Sequence, residues 1–259
     1  MTFASLSGGR DSTAMVVKWL EEENNLDYII FCDTGFEFPA MYEYIDKLEK
    51  YLLEKFNKKL TRLGDKDTFN KWCFIKPISR GENKGKLRGL PRTIGMSFCT
   101  RETKIVPTEK FIVSVSPNKF RNVGLVGFTY NEVVNGRVSN LSYATSKYPL
   151  YEWKMNEEEC EEFLKKRSIA NPLYKHFYRT GCFLCPKQSK NSLYNLYKYY
   201  PKEWQIMKEM ESKAKKMGCV CQTFKPDKTI LEYEKEFRLT PDPLFENDYI
   251  DFETCFCGK

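Results

Sequence analysis

The feature that most constrains this chain lies within its first 23 residues. An apolar run at residues 3–6 is followed by Ser-Gly-Gly-Arg-Asp-Ser-Thr at residues 7–13 and by an amphipathic segment at residues 14–23. This order predicts a strand, a tight turn and a helix. Glycine lets the backbone turn sharply and approach a ligand without a Cβ in the way. The sequence therefore predicts a ligand-binding turn between the first strand and the first helix.

The turn carries the groups that a bound phosphate requires. The first amides of a helix are unpaired and lie at the positive end of the helix dipole, which attracts anions. Ser7, Ser12 and Thr13 add hydroxyl donors, and Arg10 offers a planar guanidinium group. A carboxylate beside a phosphate repels it unless a metal ion lies between them, so Asp11 indicates Mg²⁺.

Two further strands are predicted after the first helix. Residues 26–32 are a continuous apolar run typical of a buried parallel strand, and residues 59–63 form a third strand. Strands alternating with helices predict an open parallel sheet. Ligands bind at the carboxyl ends of such strands, so we expect the first turn and residues 33–35 to face one site. The alternative for residues 33–35 is a turn that only starts the next helix.

Three segments resemble one group of enzymes. Residues 7–12 resemble the SGGxDS signature of the PP-loop ATP pyrophosphatases, members of the adenine nucleotide alpha-hydrolase superfamily that cleave ATP between the α and β phosphates. Asp-Thr-Gly-Phe-Glu-Phe-Pro at residues 33–39 resembles the phosphoadenosine phosphosulfate (PAPS) reductase family, a branch of that group, and Gly-x-x-x-x-Glu at residues 127–132 is similar to a further family segment. The resemblance implies nucleotide contacts from Ser7, Gly8, Gly9, Arg10, Asp11, Ser12, Thr13, Asp33, Thr34, Gly35, Glu132 and Arg137.

The resemblance also implies catalytic roles and cofactors. Arg10 would stabilise charge in the transition state, and Asp11 would hold the Mg²⁺ of bound ATP. The family often has lysine where this chain has Arg10, so the charge is kept and the geometry differs. PAPS is the alternative nucleotide.

The cysteines indicate a metal site. Ten cysteines are many for a cytosolic chain, where disulfides are disfavoured. Cys182 and Cys185, in Gly-Cys-Phe-Leu-Cys-Pro, provide two thiolates for one metal ion or for two corners of a cluster. Cys73, beside Trp72, is interpreted as a small buried apolar residue.

The PAPS reductase resemblance supplies the other ligands. It implies a 4Fe–4S cluster with Cys99 as the third ligand; a structural Zn²⁺ is the alternative. The predicted ligands are Cys99, Cys182, Cys185 and Cys257, with Cys255, Cys219 and Cys221 as alternatives for the fourth position. Cys257-Gly258 also resembles the Cys-Gly tail of assimilatory reductases, which makes Cys257 a candidate nucleophile or sulfur carrier, although Phe256 replaces the usual acidic residue; an unused terminus is the other possibility.

Charge and hydropathy limit the partners. The net charge of +7 suits a nucleotide or nucleic acid. Four residues of a predicted loop at residues 65–97 are candidates for contacts with phosphates or nucleic acid, or for a solvated surface: Lys84, Lys86, Arg88 and Arg92. No apolar run reaches the roughly 20 residues that span a bilayer. With no signal peptide recognisable, we expect a cytoplasmic protein without a membrane contact.

The predicted organisation has two parts. Residues 1–155 would form a Rossmann-like PP-loop α/β domain with about five parallel strands, and residues 147–153 would be the last strand or the entry to it. Residues 156–259 would form a helical region with the CxxC site, beginning with a helix at residues 156–167 that Asn156 and Glu159 cap.

Three functions are compatible with this pattern. The first is an enzyme that uses ATP–Mg²⁺ to adenylate a substrate for sulfur transfer to a nucleic acid or a small molecule. The second is a reductase of PAPS or adenylylsulfate that releases sulfite and takes electrons from a thiol reductant such as thioredoxin. The third is a non-catalytic module that binds nucleotide or nucleic acid.

Overall fold

Five parallel strands form one open sheet in the computed structural model of the chain, which describes residues 1–91 and 98–239. The spatial order is β3-β2-β1-β4-β5, with helices flanking the sheet. The predicted α/β fold with about five parallel strands is therefore confirmed. The strands are β1 (Thr2–Ser5), β2 (Tyr28–Cys32), β3 (Leu60–Leu63), β4 (Val123–Leu125) and β5 (Thr145–Lys147).

The α-helices of the described residues vary in length from about one turn to five turns. A π-helical segment at Arg101–Ile105 joins α4 to α5, so residues 98–115 form one continuous helical rod. No described helix combines the length and hydrophobicity needed to cross a membrane. The helices are α1 (Arg10–Glu21), α2 (Pro39–Phe56), α3 (Lys66–Phe74), α4 (Phe98–Thr100), α5 (Val106–Val115), α6 (Tyr130–Val134), α7 (Pro149–Glu152), α8 (Glu157–Lys165), α9 (Lys190–Tyr199), α10 (Pro201–Lys216) and α11 (Ile230–Leu239).

The sheet register places the carboxyl ends of the strands at one edge. Ala4 of β1 pairs with Ile29 of β2 on one side and with Leu125 of β4 on the other. The chain winds outward from β1 in both directions, so the crevice beyond β1 is the topological switch point at which open α/β sheets bind ligands.

Burial explains why β1 and α1 are adjacent. Ala4 and Leu6 are buried, and α1 presents Met15, Val16 and Val17 to the same core. Removing these side chains from water stabilises the strand–turn–helix unit, at about 25 cal/mol per Å² of apolar area. The turn at residues 7–9 is thereby held between two buried elements.

The helix after residue 156 begins as the sequence predicts. The Asn156 side chain accepts hydrogen bonds from the Glu158 and Glu159 amides, and Glu159 accepts from the Asn156 amide, which is a complete capping box. Arg167, just beyond α8, donates to both carboxylate oxygens of Glu21 in α1, with distances of 2.6 and 2.7 Å. The division of the chain at residue 155 stays a proposal.

Two predictions of local structure are wrong. Residues 65–97 are not a continuous loop, because Asp65 caps α3 by accepting from the Asp67 amide. Residues 147–153 are not a strand: β5 ends at Lys147, and α7 begins at Pro149, whose fixed φ suits a first helical turn.

Residues 75–90 form a short antiparallel hairpin. Pro77 pairs with Leu87, and the Ile78 amide donates to the Lys86 carbonyl at 2.9 Å. The base of this 75–90 hairpin is fixed to the segment after α10, where Gly89 pairs with Cys221.

Gly89→Ala should destabilise the protein by roughly 3 kcal/mol or more, because the new Cβ would clash with backbone atoms that cannot move aside. Gly89 has φ +76°, and an added Cβ would lie 1.9 Å from the Cys221 carbonyl oxygen. Gly85→Ala is the matched control: its φ is +85° and no atom lies within 4 Å, so only the left-handed backbone costs about 1 kcal/mol. Urea unfolding of both variants measures the difference, and equal losses would disprove the hairpin anchor.

Candidate nucleotide site and its cysteine neighbours

The predicted phosphate turn lies beyond the carboxyl end of β1. Gly8 has φ +77°, and a Cβ at this position would approach the Met41 sulfur to 2.5 Å, so glycine is needed for conformation and for space. The Asn171 side-chain amide donates to the Gly8 carbonyl at 2.8 Å. The turn is thus supported from α2 and from residue 171.

The three hydroxyl groups of the turn differ in their surroundings. Ser7 is exposed, and its oxygen lies 3.0 Å from the Ser12 hydroxyl oxygen. Thr13 is fully buried and donates its hydroxyl to the Gly9 carbonyl at 2.8 Å. Ser7 and Ser12 are therefore placed at the turn, whereas Thr13 stabilises its backbone.

Arg10 lies against protein groups. Its guanidinium is buried, forms ion pairs with Glu157 and Glu161 of α8, and lies 5.1 and 5.0 Å from the ring centroids of Tyr174 and Tyr178. These carboxylates and aromatic faces satisfy a buried cation. A phosphate contact of Arg10 stays a prediction, since the guanidinium is engaged by α8 and by the two tyrosines.

Asp11 is the chemically unusual member of the turn. Its Oδ1 is buried without a hydrogen-bond partner among the described residues and lies 3.5 Å from Arg10 Nε. The pKa of Asp11 is raised to about 7, mainly by burial and next by the Glu157 charge. The Glu132 charge also contributes to raising this pKa, whereas Arg10 and Arg179 act to lower it. A buried carboxylate oxygen without a donor, at the start of a helix, fits the ligand set of a divalent cation.

The pKa of Asp11 predicts a pH dependence of stability. Because its folded pKa is about 7 and its unfolded value is 3.8, the folded protein binds more protons between these limits. The free energy of unfolding should then fall as pH rises from 4 to 7, by about 2 kcal/mol after allowance for partial exposure. Urea unfolding without Mg²⁺ at pH 5 and at pH 8 measures this change in the wild type and in Asp11→Asn. Between these pH values, the free energy of unfolding of the wild type should fall by about this amount relative to that of Asp11→Asn. A constant difference would contradict the pKa shift.

The turn after β2 is closed by its own side chains. Asp33 Oδ1 accepts from the Gly35 amide at 2.7 Å and from the Tyr42 hydroxyl at 2.8 Å, and Thr34 donates to buried Glu37 at 2.8 Å. Burial raises the pKa of Glu37. Asp33, Thr34 and Gly35 lie at the same sheet edge as the first turn, and their nucleotide contacts stay a prediction.

The segment after β4 contacts the first turn directly. A Cβ on Gly127 would lie 3.1 Å from Ser12 Cα, which shows how closely the two backbones approach. Glu132 completes a capping box with Thr129 and forms an ion pair with Arg137, whose guanidinium lies 3.9 Å from the Phe128 ring centroid. The structure therefore places Glu132 within electrostatic reach of Asp11.

Three of the predicted metal ligands lie near one another. The Phe183 amide donates to the Phe36 carbonyl at 3.0 Å, which fixes the Cys182–Cys185 turn beside the loop after β2. Burial, the Glu37 carboxylate and the Cys185 and Cys99 thiols raise the pKa of Cys182. Cys257 and Cys255 lie outside the described residues, as does Arg92.

A second group of thiols shares Cys99 with the first. Cys73 is fully buried, as predicted, but burial and the nearby thiols of Cys99, Cys219 and Cys221 all raise its pKa. Residues 1–91 and 98–239 contain no group of three or more His, Cys, Asp or Glu side chains arranged to hold a metal ion. The ligand set stays a prediction.

Several residues around the turn have no signal in the sequence. They lie more than 140 positions beyond the turn and reach it through the packing of α8 and the segment after it. The Tyr174 hydroxyl accepts from the Arg10 amide at 2.8 Å. The residues that sequence reasoning missed are Glu157, Glu161, Asn171, Tyr174, Tyr178 and Arg179.

Comparison with known proteins matches the beginning of the chain to one family. Residues 1–78 match the family model described as the phosphoadenosine phosphosulfate reductase domain, which confirms the resemblance over that part of the chain. Two uncharacterized proteins of Methanocaldococcus jannaschii are 25% and 24% identical over 210 and 206 residues. These matches cover 78% and 76% of this chain and 39% and 44% of the relatives, so the chain spans less than half the length of the curated relatives it matches.

Two solved structures are partly similar. A phosphoadenylyl-sulfate reductase from Candida auris, in a phosphate complex, is 11% identical with a TM-score of 0.48 and covers 70% of this chain and 80% of its own. The U34-tRNA thiolase NcsA from Methanococcus maripaludis, with its [4Fe-4S] cluster, is 15% identical with a TM-score of 0.42 and covers 99% of this chain and 79% of its own. At these TM-scores neither similarity identifies a function for this chain.

Proposed function

We propose that this chain is a PP-loop enzyme that binds ATP–Mg²⁺ at residues 7–13, cleaves the bond between the α and β phosphates and adenylates a substrate for sulfur transfer. The observation that carries the proposal is the buried Asp11 oxygen, which has no hydrogen-bond partner among the described residues. A divalent cation between this oxygen and the pyrophosphate would satisfy both. The family match of residues 1–78 supports a nucleotide site at this turn, without distinguishing ATP from PAPS.

The residues of the turn take distinct roles in this proposal. Gly8 and Gly9 bring backbone amides close to the phosphates, and Ser7 and Ser12 add hydroxyl donors. Asp11 would hold the Mg²⁺, which would supply positive charge to a pyrophosphate leaving group.

The neighbouring charged residues support the turn. Arg10 acts as a positioning residue, because its pairs with Glu157 and Glu161 fix the start of α1. Glu132 and Arg137 form the wall of the site after β4.

The cysteine chemistry is a separate part of the proposal. Cys99, Cys182 and Cys185, with Cys257 as the fourth ligand, would hold a 4Fe–4S cluster, and Zn²⁺ is the alternative. The Cys185 and Cys99 thiols are close enough to raise the pKa of Cys182, which supports a common site. Iron, sulfide and zinc analysis of anaerobically purified protein distinguishes the two.

Reduction of PAPS is the second candidate function. The description of the matching family model favours it, and it would use Cys257 or Cys255 as the nucleophile. It requires a thiol reductant such as thioredoxin and releases sulfite, and deletion of the last five residues should abolish that release.

The experiment compares the candidate reactions on one preparation. The protein is incubated with ATP–Mg²⁺ plus RNA as acceptor and sulfide as sulfur donor, and separately with PAPS plus dithiothreitol, and AMP, pyrophosphate and sulfite are measured. AMP and pyrophosphate from ATP support adenylation, whereas sulfite from PAPS supports the reductase. Nucleotide binding without any product would indicate a non-catalytic binding module and would contradict both proposed enzymatic activities.

A further inference from the structure

A strongly basic surface is formed by elements that do not include the phosphate turn. It is formed by the end of α3, the 75–90 hairpin and the end of α10, and eight of its nine basic side chains are exposed while Arg88 is half-buried. We call it the basic hairpin surface. Its basic residues are Lys71, Lys76, Arg80, Lys84, Lys86, Arg88, Lys213, Lys215 and Lys216.

The chain segments of this surface are fixed to one another. The Val220 amide donates to the Leu87 carbonyl at 3.0 Å, and the Cys221 amide donates to the Arg88 carbonyl at 2.9 Å. Lys213 Nζ lies 4.4 Å from the Phe74 ring centroid, which places the end of α10 beside α3. The lysines of α10 and those of the hairpin therefore belong to one surface.

Within residues 1–91 and 98–239, carboxylates do not neutralise the charge of this surface. None of the nine basic residues forms an ion pair with a carboxylate in the part of the chain that the structure describes. Arg62 and Arg167, by contrast, are paired with carboxylates. Glu82 is the one acidic residue within residues 71–91 and 213–216, so the nine basic residues give these segments a net charge of +8, which exceeds the +7 of the whole chain. Such a concentration creates a positive potential that attracts polyanions.

An aromatic side chain lies among these cations. Trp72 is half-buried, with Lys76 Nζ 3.8 Å and the Arg88 guanidinium 4.7 Å from its ring. These cation–π contacts hold the two basic side chains in place at the root of the hairpin. Basic residues around a partly accessible aromatic side chain are typical of surfaces that bind single-stranded nucleic acid.

We propose that the basic hairpin surface binds the phosphodiester backbone of a nucleic acid. Lysine dominates the surface and is depleted in protein–protein interfaces, which favours a nucleic acid over an acidic protein. A strand bound there would pass beside half-buried Cys221 at the hairpin base. The proposal does not depend on ATP chemistry.

Fluorescence anisotropy of the full chain with labelled strands of about 20 nucleotides tests this surface. Single-stranded RNA, single-stranded DNA and their duplexes are titrated separately at several salt concentrations. Comparison of the dissociation constants shows which nucleic acid is preferred. Lys84→Glu/Lys86→Glu and Lys215→Glu/Lys216→Glu should each weaken binding about tenfold or more and reduce the salt slope by about 1 to 2.

The matched control is Lys47→Glu/Lys50→Glu, which makes the same charge change on exposed positions of α2. The dissociation constant of this control should change by less than about twofold once the effect of the lower net charge on binding is subtracted. Loss of binding in the control equal to that in either test variant would overturn the proposal. So would the absence of binding at low salt, or equally effective competition by polyglutamate. Pyrophosphate is not measured, so the result is independent of the adenylation reaction.

Discussion

Asp11→Asn should lower pyrophosphate formation from ATP by about 100-fold or more while leaving the fold intact. The amide keeps the size of the side chain but removes the negative charge that holds Mg²⁺. It also removes a buried carboxylate whose pKa is raised to about 7, so the variant should be at least as stable as the wild type at pH 8. Loss of activity together with retained stability separates chemistry from folding.

Asp67→Asn is the control for this substitution. Asp67 occupies the second position of α3, as Asp11 does in α1, but it is exposed and far from the turn in sequence. Its exchange should leave pyrophosphate formation within about twofold of the wild type, as is usual for surface changes. Unchanged turnover in Asp11→Asn would remove Asp11 from the mechanism.

Arg10→Ala should destabilise the protein by about 3 kcal/mol, the usual cost of breaking a buried ion pair. Arg10 is only 7% exposed and is contacted by Glu157, Glu161 and Asp11, which would all lose their counterion. The loss should be smaller at low pH, where protonated carboxyl groups no longer need the guanidinium.

Arg62→Ala is the matched control for the arginine. Arg62 also pairs with two carboxylates, those of Asp46 and Glu49, but its side chain is 40% exposed. Exposed pairs contribute about 0–1 kcal/mol, so this variant should be nearly as stable as the wild type. Similar unfolding free energies for both variants would show that Arg10 is not a structural cation.

The sheet and the site edge could be predicted because their signals are local. The apolar run of β2 and the Ser-Gly-Gly turn each occupy fewer than eight consecutive residues, and a parallel order follows from their alternation with helices. The capping box at Asn156 is equally local, and it forms as predicted. α3 was missed because the segment rich in Gly, Lys and Arg at residues 79–93 dominates the composition of residues 65–97, although the cap Asp65 and the helix precede that segment.

The partners of Arg10 could not be predicted. Tyr174 and Glu157 reach Arg10 only after α8 has packed against α1, and nothing at residues 10–13 indicates a partner about 150 positions away. The sequence indicated a free arginine for phosphate, whereas the fold surrounds it with carboxylates. The position of Cys73 beside Trp72 predicts only that Cys73 lies in the core. Its proximity to Cys219 and Cys221 could not be predicted, because it depends on the pairing of Gly89 with Cys221 at the base of the hairpin.

The position at which ATP is cleaved tests the proposed function most directly. The full chain is incubated with ATP carrying a label in the γ phosphate, in the presence of Mg²⁺ and nucleic acid, and the labelled product is identified by chromatography. PP-loop chemistry predicts that the label leaves in pyrophosphate, with the unlabelled adenylyl group on the acceptor or, after its displacement, in free AMP. Label in inorganic phosphate, with ADP as the other product, would contradict the central claim.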